Sequence, residues 1–241
     1  AVEYLMKEKW VKMYVERWLK MPVHKKDGTI MEKQGKGTPQ GGVISPLLAN
    51  IYLHFTLDLW ISRNLPKVSF VRYADDIIIH CSSKLEAEKI LAAVKARLAE
   101  TKLQIKEEKT RIVYCKDYHR KENHENVKFE FLGFMAFTAE ISQSSQKRIR
   151  EEIRSEKLWR NTRIEINEIA GNFNPRIRGW INYYGKYSKR TLRAVMMSIE
   201  KRLIKWIMKK YKLGHRKSYA KLKVIKQAHP NLFYHWQKGY C

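Results

Sequence analysis

The sequence predicts an α+β chain in which residues 1–137 mix strands with helices and residues 138–241 are helical throughout. Three observations carry that reading. Two β-rich runs, Val68 to Tyr73 and Ile77 to Cys81, flank a short turn at Ala74, Asp75 and Asp76, the pattern of an antiparallel hairpin. After about Phe137 the strand-like runs stop, and Leu192, Val195, Ile199, Leu203 and Trp206 mark one face of a long basic helix. With 44% hydrophobic and 12% aromatic residues, a chain of 241 has the material for one or two packed domains rather than a disordered tail.

The elements follow in order. Trp10, Val11, Tyr14, Val15, Trp18 and Leu19 keep helical spacing, and Pro22 stops that helix from just beyond its end. Asp27-Gly28, between Met21 to His24 and Thr29 to Gln34, predicts a short hairpin, and Gly35 to Gly42 is too rich in glycine for regular structure. Ser45-Pro46 is read as an N-cap followed by proline at the first helical position. The apolar run from Val43 to Ile61 is interrupted by Asn50, His54 and Asp58, one polar stripe recurring every fourth residue, so it is an amphipathic helix and not a membrane span. Ser83 with Glu86 is a capping box before a helix whose apolar face is Leu85, Ile90, Leu91, Val94 and Leu98. Thr110 to Cys115 and Lys128 to Phe137 read as further strands, joined by a polar loop through His119 and His124.

Charge narrows the function classes. Lys and Arg number 49 against 24 Asp and Glu, and a net charge of +25 repels itself unless a polyanion accompanies it, which makes nucleic acid the first partner to consider. Residues 1–136 carry 24 basic and 17 acidic side chains and residues 137–241 carry 25 and 7, so the net charges are +7 and +18 and the helical part is the stronger electrostatic clamp. Cys81, Cys115 and Cys241 are odd in number and widely spaced, which indicates neither a disulfide framework nor a zinc knuckle and points to a reducing, cytoplasmic setting. No charged-then-apolar leader follows Ala1, so the chain reads as an excerpt of something longer.

Two segments carry chemistry. Asp75 and Asp76, adjacent acids in a tight turn, can hold Mg²⁺ through hard oxygen ligands, and two such ions suit an in-line displacement at phosphorus. An isolated Asp-Asp pair is ordinarily a solvated turn, but here the repulsive pair lies between apolar strands in a chain otherwise crowded with cations. In Gly37 to Asn50, glycines 41 and 42 let backbone approach a nucleotide closely, and Gln40 can both donate and accept hydrogen bonds. Farther on, Arg176 and Arg178 alternate with apolar neighbours ahead of Trp180, Tyr183 and Tyr184, a mixture suited to phosphate contact and base stacking. Of these, Trp180 is expected to be buried and Arg178 available. His119, His124, His229 and His235 lack partners at metal-ligand spacing.

These segments resemble, in order, five motifs of the reverse transcriptases encoded by group II introns. Gly37 to Leu53 looks like the motif that contacts template and nucleotide, and Tyr73-Ala74-Asp75-Asp76 resembles the catalytic hairpin. Lys109-Thr110-Arg111 is similar to the next motif, where a lysine lies near the departing pyrophosphate, and Phe131-Leu132-Gly133-Phe134 resembles the primer grip. Asn174 to Tyr184 looks like the signature of the maturase, or thumb, domain. The resemblance covers nearly the whole chain. It implies a polymerase palm remnant over 1–137, lacking fingers and first catalytic strand, and an α-helical thumb over 138–241. It also implies an RNA-directed DNA polymerase that assists splicing of its own intron RNA in a bacterial nucleoprotein, acting on an RNA template with a DNA primer and on a DNA target, with no membrane partner. Asp75 and Asp76 would then hold two Mg²⁺ ions and Lys109 would serve catalysis. Gln40, Gly41, Gly42 and Tyr73 would face template and dNTP, Phe131, Leu132 and Gly133 the primer, and Arg176 and Arg178 the RNA. The family's additional metal-binding aspartate has no counterpart, since Glu3 and Glu8 lack its setting. The zinc-bearing endonuclease of some relatives has none either, so the chain alone is expected to bind RNA without synthesising DNA. A non-catalytic RNA-binding maturase with a scaffold palm, and a defence-associated or domesticated relative, remain the alternatives.

Overall fold

The computed structural model describes residues 2–24, 27–33, 37–38, 41–116, 118–120 and 122–240, which group into two units divided between Tyr114 and Cys115. In the first unit, α1 (Val2–Leu5) and α2 (Lys9–Lys20) precede the small hairpin of β1 (Val23–His24) and β2 (Ile30–Met31). Its turn forms as Asp27-Gly28 predicts: the Asp27 carboxylate accepts from the backbone N–H of Thr29 at 2.9 Å and from its hydroxyl at 2.7 Å, and Gly28 takes a left-handed φ of +83°.

The amphipathic segment is one continuous helix in three pieces: α3 (Ser45–Leu53), a π turn at His54–Asp58, and α4 (Leu59–Asn64). Ile44, not Ser45, occupies the N-cap, and Ser45 and Pro46 stand in the first turn, where proline's missing N–H goes unused anyway. β3 (Ser69–Tyr73) and β4 (Asp76–His80) pair antiparallel in the register Phe70↔Ile79, Arg72↔Ile77, Tyr73↔Asp76. α5 (Lys84–Glu100) begins with Ser83 accepting from the N–H of Glu86, whose carboxylate reaches back to the N–H of Ser82, one residue beyond the reciprocal partner of a standard box.

Leu57 and Ile61 meet Ile90, Val94 and Leu98 of α5, and Phe70, Ile77 and Ile79 lie against this core from the hairpin. The period-2 alternation of strands thus turns Phe70, Arg72, Ile77 and Ile79 toward the helices and Tyr73 and Asp76 away from them. Leu85 departs from the expected apolar face: it lies in the first turn of α5, ahead of the core, and is exposed. No strand forms over Thr110 to Cys115 among the described residues, because β-branched residues favour a strand only where a ladder is available.

The second unit contains the hairpin of β5 (Glu130–Phe131) and β6 (Phe134–Met135), where a single strand over Lys128 to Phe137 was expected. Leu132 and Gly133 both have positive φ, 51° and 80°, which reverses the chain between the two phenylalanines. Helices α6 (Gln143–Ser155), α7 (Ile166–Tyr184), α8 (Lys189–Tyr211), α9 (His215–Ala228) and α10 (Tyr234–Gln237) follow. The predicted face of α8 is buried residue for residue, packed with Ile149 and Ile153 of α6, Phe173 and Ile177 of α7, and Phe233. The hairpin belongs with these helices rather than with the strands before it, since Phe134 packs at 5.2–6.1 Å on Tyr183, Tyr184 and Tyr187. The break at Tyr114 therefore falls earlier than the change of pattern near Phe137.

Candidate functional site

The acidic turn is built by β3 and β4. Ala74 and Asp75 are its two central residues, Asp76 begins β4 opposite Tyr73, and Ala74 holds a left-handed φ of 53°. Asp75, Asp76 and Tyr73 are exposed, and among the described residues no cation pairs with either carboxylate. Hydrated carboxylates without a protein counter-ion are available as ligands for a hard divalent cation. The described residues nevertheless contain no cluster of three His, Cys, Asp or Glu side chains of the kind that encloses a metal.

Just beneath the turn sits Arg72, for which no motif in the sequence implies a role. Its Nε and Nη2 donate to the two oxygens of Asp58 at 2.7 and 2.6 Å, and Nη1 donates to Asn50 Oδ1 and to the Ala74 carbonyl, each at 2.8 Å. Burial pushes the Asp58 carboxyl up, but the hydrogen bonds and charge of Arg72, with His54 beside them, outweigh it and hold the pKa below the ordinary carboxylate value. Asn50 ends the glycine-led motif, so one guanidinium joins that motif's helix to the carboxylate turn. The signal was present as a stripe of Asn50, His54 and Asp58, but a stripe does not name its partner.

Gly41 has φ +90°, and a Cβ there would meet nothing within 4 Å, so glycine serves the backbone and the space above it is open. Gly42 accepts from the Ser45 N–H at 3.1 Å, where the chain enters α3, while Gln40 lies outside the described residues. Lys109 is exposed at the end of a 3₁₀ turn, Glu107–Lys109. Phe131, Leu132 and Gly133 form the tip of the β5–β6 hairpin. A Cβ on Gly133 would lie 2.8 Å from Ser145 Oγ and 3.0 Å from Tyr184 Oη, and the Tyr183 hydroxyl donates to the Leu132 carbonyl at 2.9 Å. Beside this tip opens a recess of about 540 Å³ whose lining includes Arg148, Ser144, Trp180 and Tyr183.

The Asn174 to Tyr184 motif forms most of α7. Asn174 proves structural: its amide donates to the Leu232 carbonyl and its oxygen accepts from the Tyr234 N–H, both at 2.9 Å, tying down the C-terminal segment. Arg176 is held by Glu156 and, at 3.7 Å, by Glu152, with its guanidinium 4.8 Å from the Phe173 ring. Arg178 is exposed and stacks 5.1 Å over Tyr234, and Trp180 is half-buried, edge-on to Phe173. Helix α9 adds Arg216, Lys217, Lys221, Lys223 and Lys226 with no acidic residue, a charge run visible in the sequence outside the family motifs. Lys221 lies 4.0 Å over Tyr211 and Lys223 5.1 Å over Tyr219. Such cation and ring pairs present both a phosphate partner and a stacking face.

The first unit thus carries a paired-strand turn with two exposed carboxylates, and the second carries basic side chains set against aromatic rings. Residues 3–136, more than half of the chain, match the family Reverse transcriptase (RNA-dependent DNA polymerase), and residues 146–224 match the group II intron, maturase-specific domain: the chain belongs to the group II intron reverse transcriptases and maturases. It is also 26% identical, over 81% of its length, to the uncharacterized 91 kDa protein in cob intron of Schizosaccharomyces pombe. The chain spans about a third of that relative's length, 33%. No helix among the described residues is long and apolar enough to cross a membrane.

Proposed function

We propose that this chain carries the nucleotidyl-transfer turn and the RNA-holding helices of an RNA-directed DNA polymerase that also assists splicing of its own intron RNA. The observation that supports it most is the Tyr73-Ala74-Asp75-Asp76 turn, two exposed carboxylates kept adjacent and unneutralised in a chain of net charge +25. Residues 1–137 serve as palm and 138–241 as thumb, with the β5–β6 hairpin at the end of the palm segment packed on the thumb helices. Asp75 and Asp76 supply ligands for two Mg²⁺ ions, and a further ligand completes the set from outside the described residues. When bound, such ions acidify a primer hydroxyl and neutralise a leaving pyrophosphate. The chain's own groups do the placing. Gln40, Gly41, Gly42 and Tyr73 face template and incoming dNTP, and the Lys109 ammonium offers a proton to the pyrophosphate oxygen.

Phe131, Leu132 and Gly133 hold the primer strand on a hairpin braced by Tyr183 and Tyr184. Arg178 and α9 take phosphates and unstacked bases of intron RNA, while Arg176, secured by two glutamates, fixes the helix that presents Arg178. The test is Asp75→Asn in the full-length protein, which removes a charge with little change of shape. Mg²⁺-dependent primer extension should fall by about a hundred- to a thousandfold, of the order seen when a preorganised electrostatic group is lost, with RNA affinity held within about twofold. Extension within a few-fold of the parent would leave an RNA-binding maturase with a scaffold palm as the surviving alternative.

A further inference from the structure

Arg72 faces the helices, on the side of the hairpin opposite Tyr73 and Asp76, and all three of its side-chain nitrogens donate. Two of its three partners, Asp58 and Asn50, fix it to the helix and the third grips the turn. That third contact is to the carbonyl of Ala74, the one turn residue with left-handed φ, a conformation that an L side chain resists. The helix is adapted to the task. In an α-helix, residues four apart drift by about 40° around the axis, so Asn50 and Asp58, eight apart, would point about 80° from each other. The π turn over His54–Asp58 widens the helix by one residue, with the Leu59 N–H bonding back to His54, and takes back that drift. Asn50 and Asp58 consequently converge on one guanidinium.

We propose that Arg72 is the positioning residue of the catalytic turn: anchored by Asp58 and Asn50, it holds the Ala74 peptide in its left-handed state and so sets where Asp75 and Asp76 stand relative to the helix that the glycine motif opens. The proposal rests on the reading of Asp75 and Asp76 as metal carboxylates. Arg72 touches no reacting atom in it. Lysine cannot replace it, since one ammonium cannot bridge two carboxylate oxygens, an amide and a carbonyl in fixed directions.

The test uses the full-length protein with a poly(rA) template, an oligo(dT) primer, dTTP and Mg²⁺ under single-turnover conditions. Arg72→Lys should slow extension roughly ten- to a hundredfold, as displacement of a reacting group by about an ångström does. It should also raise the Mg²⁺ concentration needed for half-maximal rate and leave primer–template affinity within about twofold. Adding Ala74→Gly, which takes the left-handed φ without strain, should recover several-fold of the lost rate without restoring the melting temperature. A lower melting temperature with unchanged rate per folded molecule, unchanged Mg²⁺ requirement and no recovery by Ala74→Gly would make Arg72 a packing contact and overturn the proposal. Should Arg72→Lys not fold, Asn50→Ala removes one anchor alone: a raised Mg²⁺ requirement supports the proposal and an unchanged one overturns it. Asp75→Asn runs in parallel. If that variant extends normally, the metal reading itself falls, whereas normal Arg72→Lys beside a dead Asp75→Asn refutes only the positioning role.

Discussion

The unit up to Tyr114 and the unit from Cys115 onward hold themselves together differently. Among the described residues the first gathers five buried apolar side chains around Leu57 and Ile90, and the second gathers twenty-three around α8. Trp10, Tyr14 and Trp18, the aromatic face that made α2 legible, are all exposed, whereas Trp159, Trp206 and Trp236 of the second unit are buried. The polar contacts differ in kind as well. In the first unit a fork of charged hydrogen bonds from Arg72 fixes a hairpin against a helix. In the second, polar groups such as Asn174, Ser188 and His235 close gaps in a core that apolar burial already defines. Directional polar anchoring fixes the turn that bears Asp75 and Asp76 where apolar burial is sparse; a dense helical core suits a unit that carries net charge of +18 over residues 137–241 and must resist its own repulsion.

Truncating a buried and an exposed tryptophan puts the contrast at greatest risk. Trp206→Ala removes an indole that is 1% exposed and donates to the Asn161 carbonyl, and it should destabilise the second unit by about 3–5 kcal/mol. Trp18→Ala should change the first unit by no more than about 0.5 kcal/mol. Chemical denaturation followed by circular dichroism measures both, and similar losses would erase the difference between the two units.

Acid should discriminate next. His235 is fully buried; its Nε2 meets Glu200 at 2.9 Å while Nδ1 has no partner, which suits a neutral ring carrying its proton on Nε2. Desolvation depresses its pKa, Glu200 opposes that only in part, and the native state accordingly binds fewer protons than the unfolded one. The stabilisation is therefore present above about pH 6.5 and lost as pH falls below it toward the depressed folded value. Thermal melts between about pH 7 and pH 5 should show the second unit weakening, and His235→Gln should flatten that slope. The first unit's counterpart, Asp58, also has a lowered pKa, but its contribution is lost only in the carboxylate range, so a common titration of both units near pH 6 would contradict this assignment.

The smallest effect separates two arginines on one helix. Arg178→Glu should lower the log–log salt dependence of RNA binding by roughly one unit while sparing the fold. Arg176→Glu should instead set a carboxylate against Glu152 and Glu156 and lower the melting temperature. Filter binding across a salt series, beside melts, reads both, and equal slopes for the two variants would remove the distinction.

Much of the fold was legible because it rests on local rules. The α8 face, the Asp27-Gly28 turn, the Ser83 cap and the strands flanking Asp75 and Asp76 follow from periodicity, turn chemistry and capping, which depend on neighbours in the chain. The strand expected over Lys128 to Phe137 became a hairpin because Leu132 adopts a left-handed φ that only its packing context supports. Thr110 to Cys115 shows the converse, a β-prone run for which propensity alone was not enough.

The family motifs and their order, the charge asymmetry and the acidic pair are properties of residue types and spacing, and the chain of letters suffices for them. Tertiary structure alone decided which side chains act through others. Arg72 became the partner of Asn50, Asp58 and Ala74 because strand alternation turned it toward a helix that a π turn had rewound. Arg176 was drawn to two glutamates while Arg178 stayed open, because two steps along an α-helix are about 200° around its axis. Long-range pairing of that kind depends on directions in space that the spacing of letters does not encode.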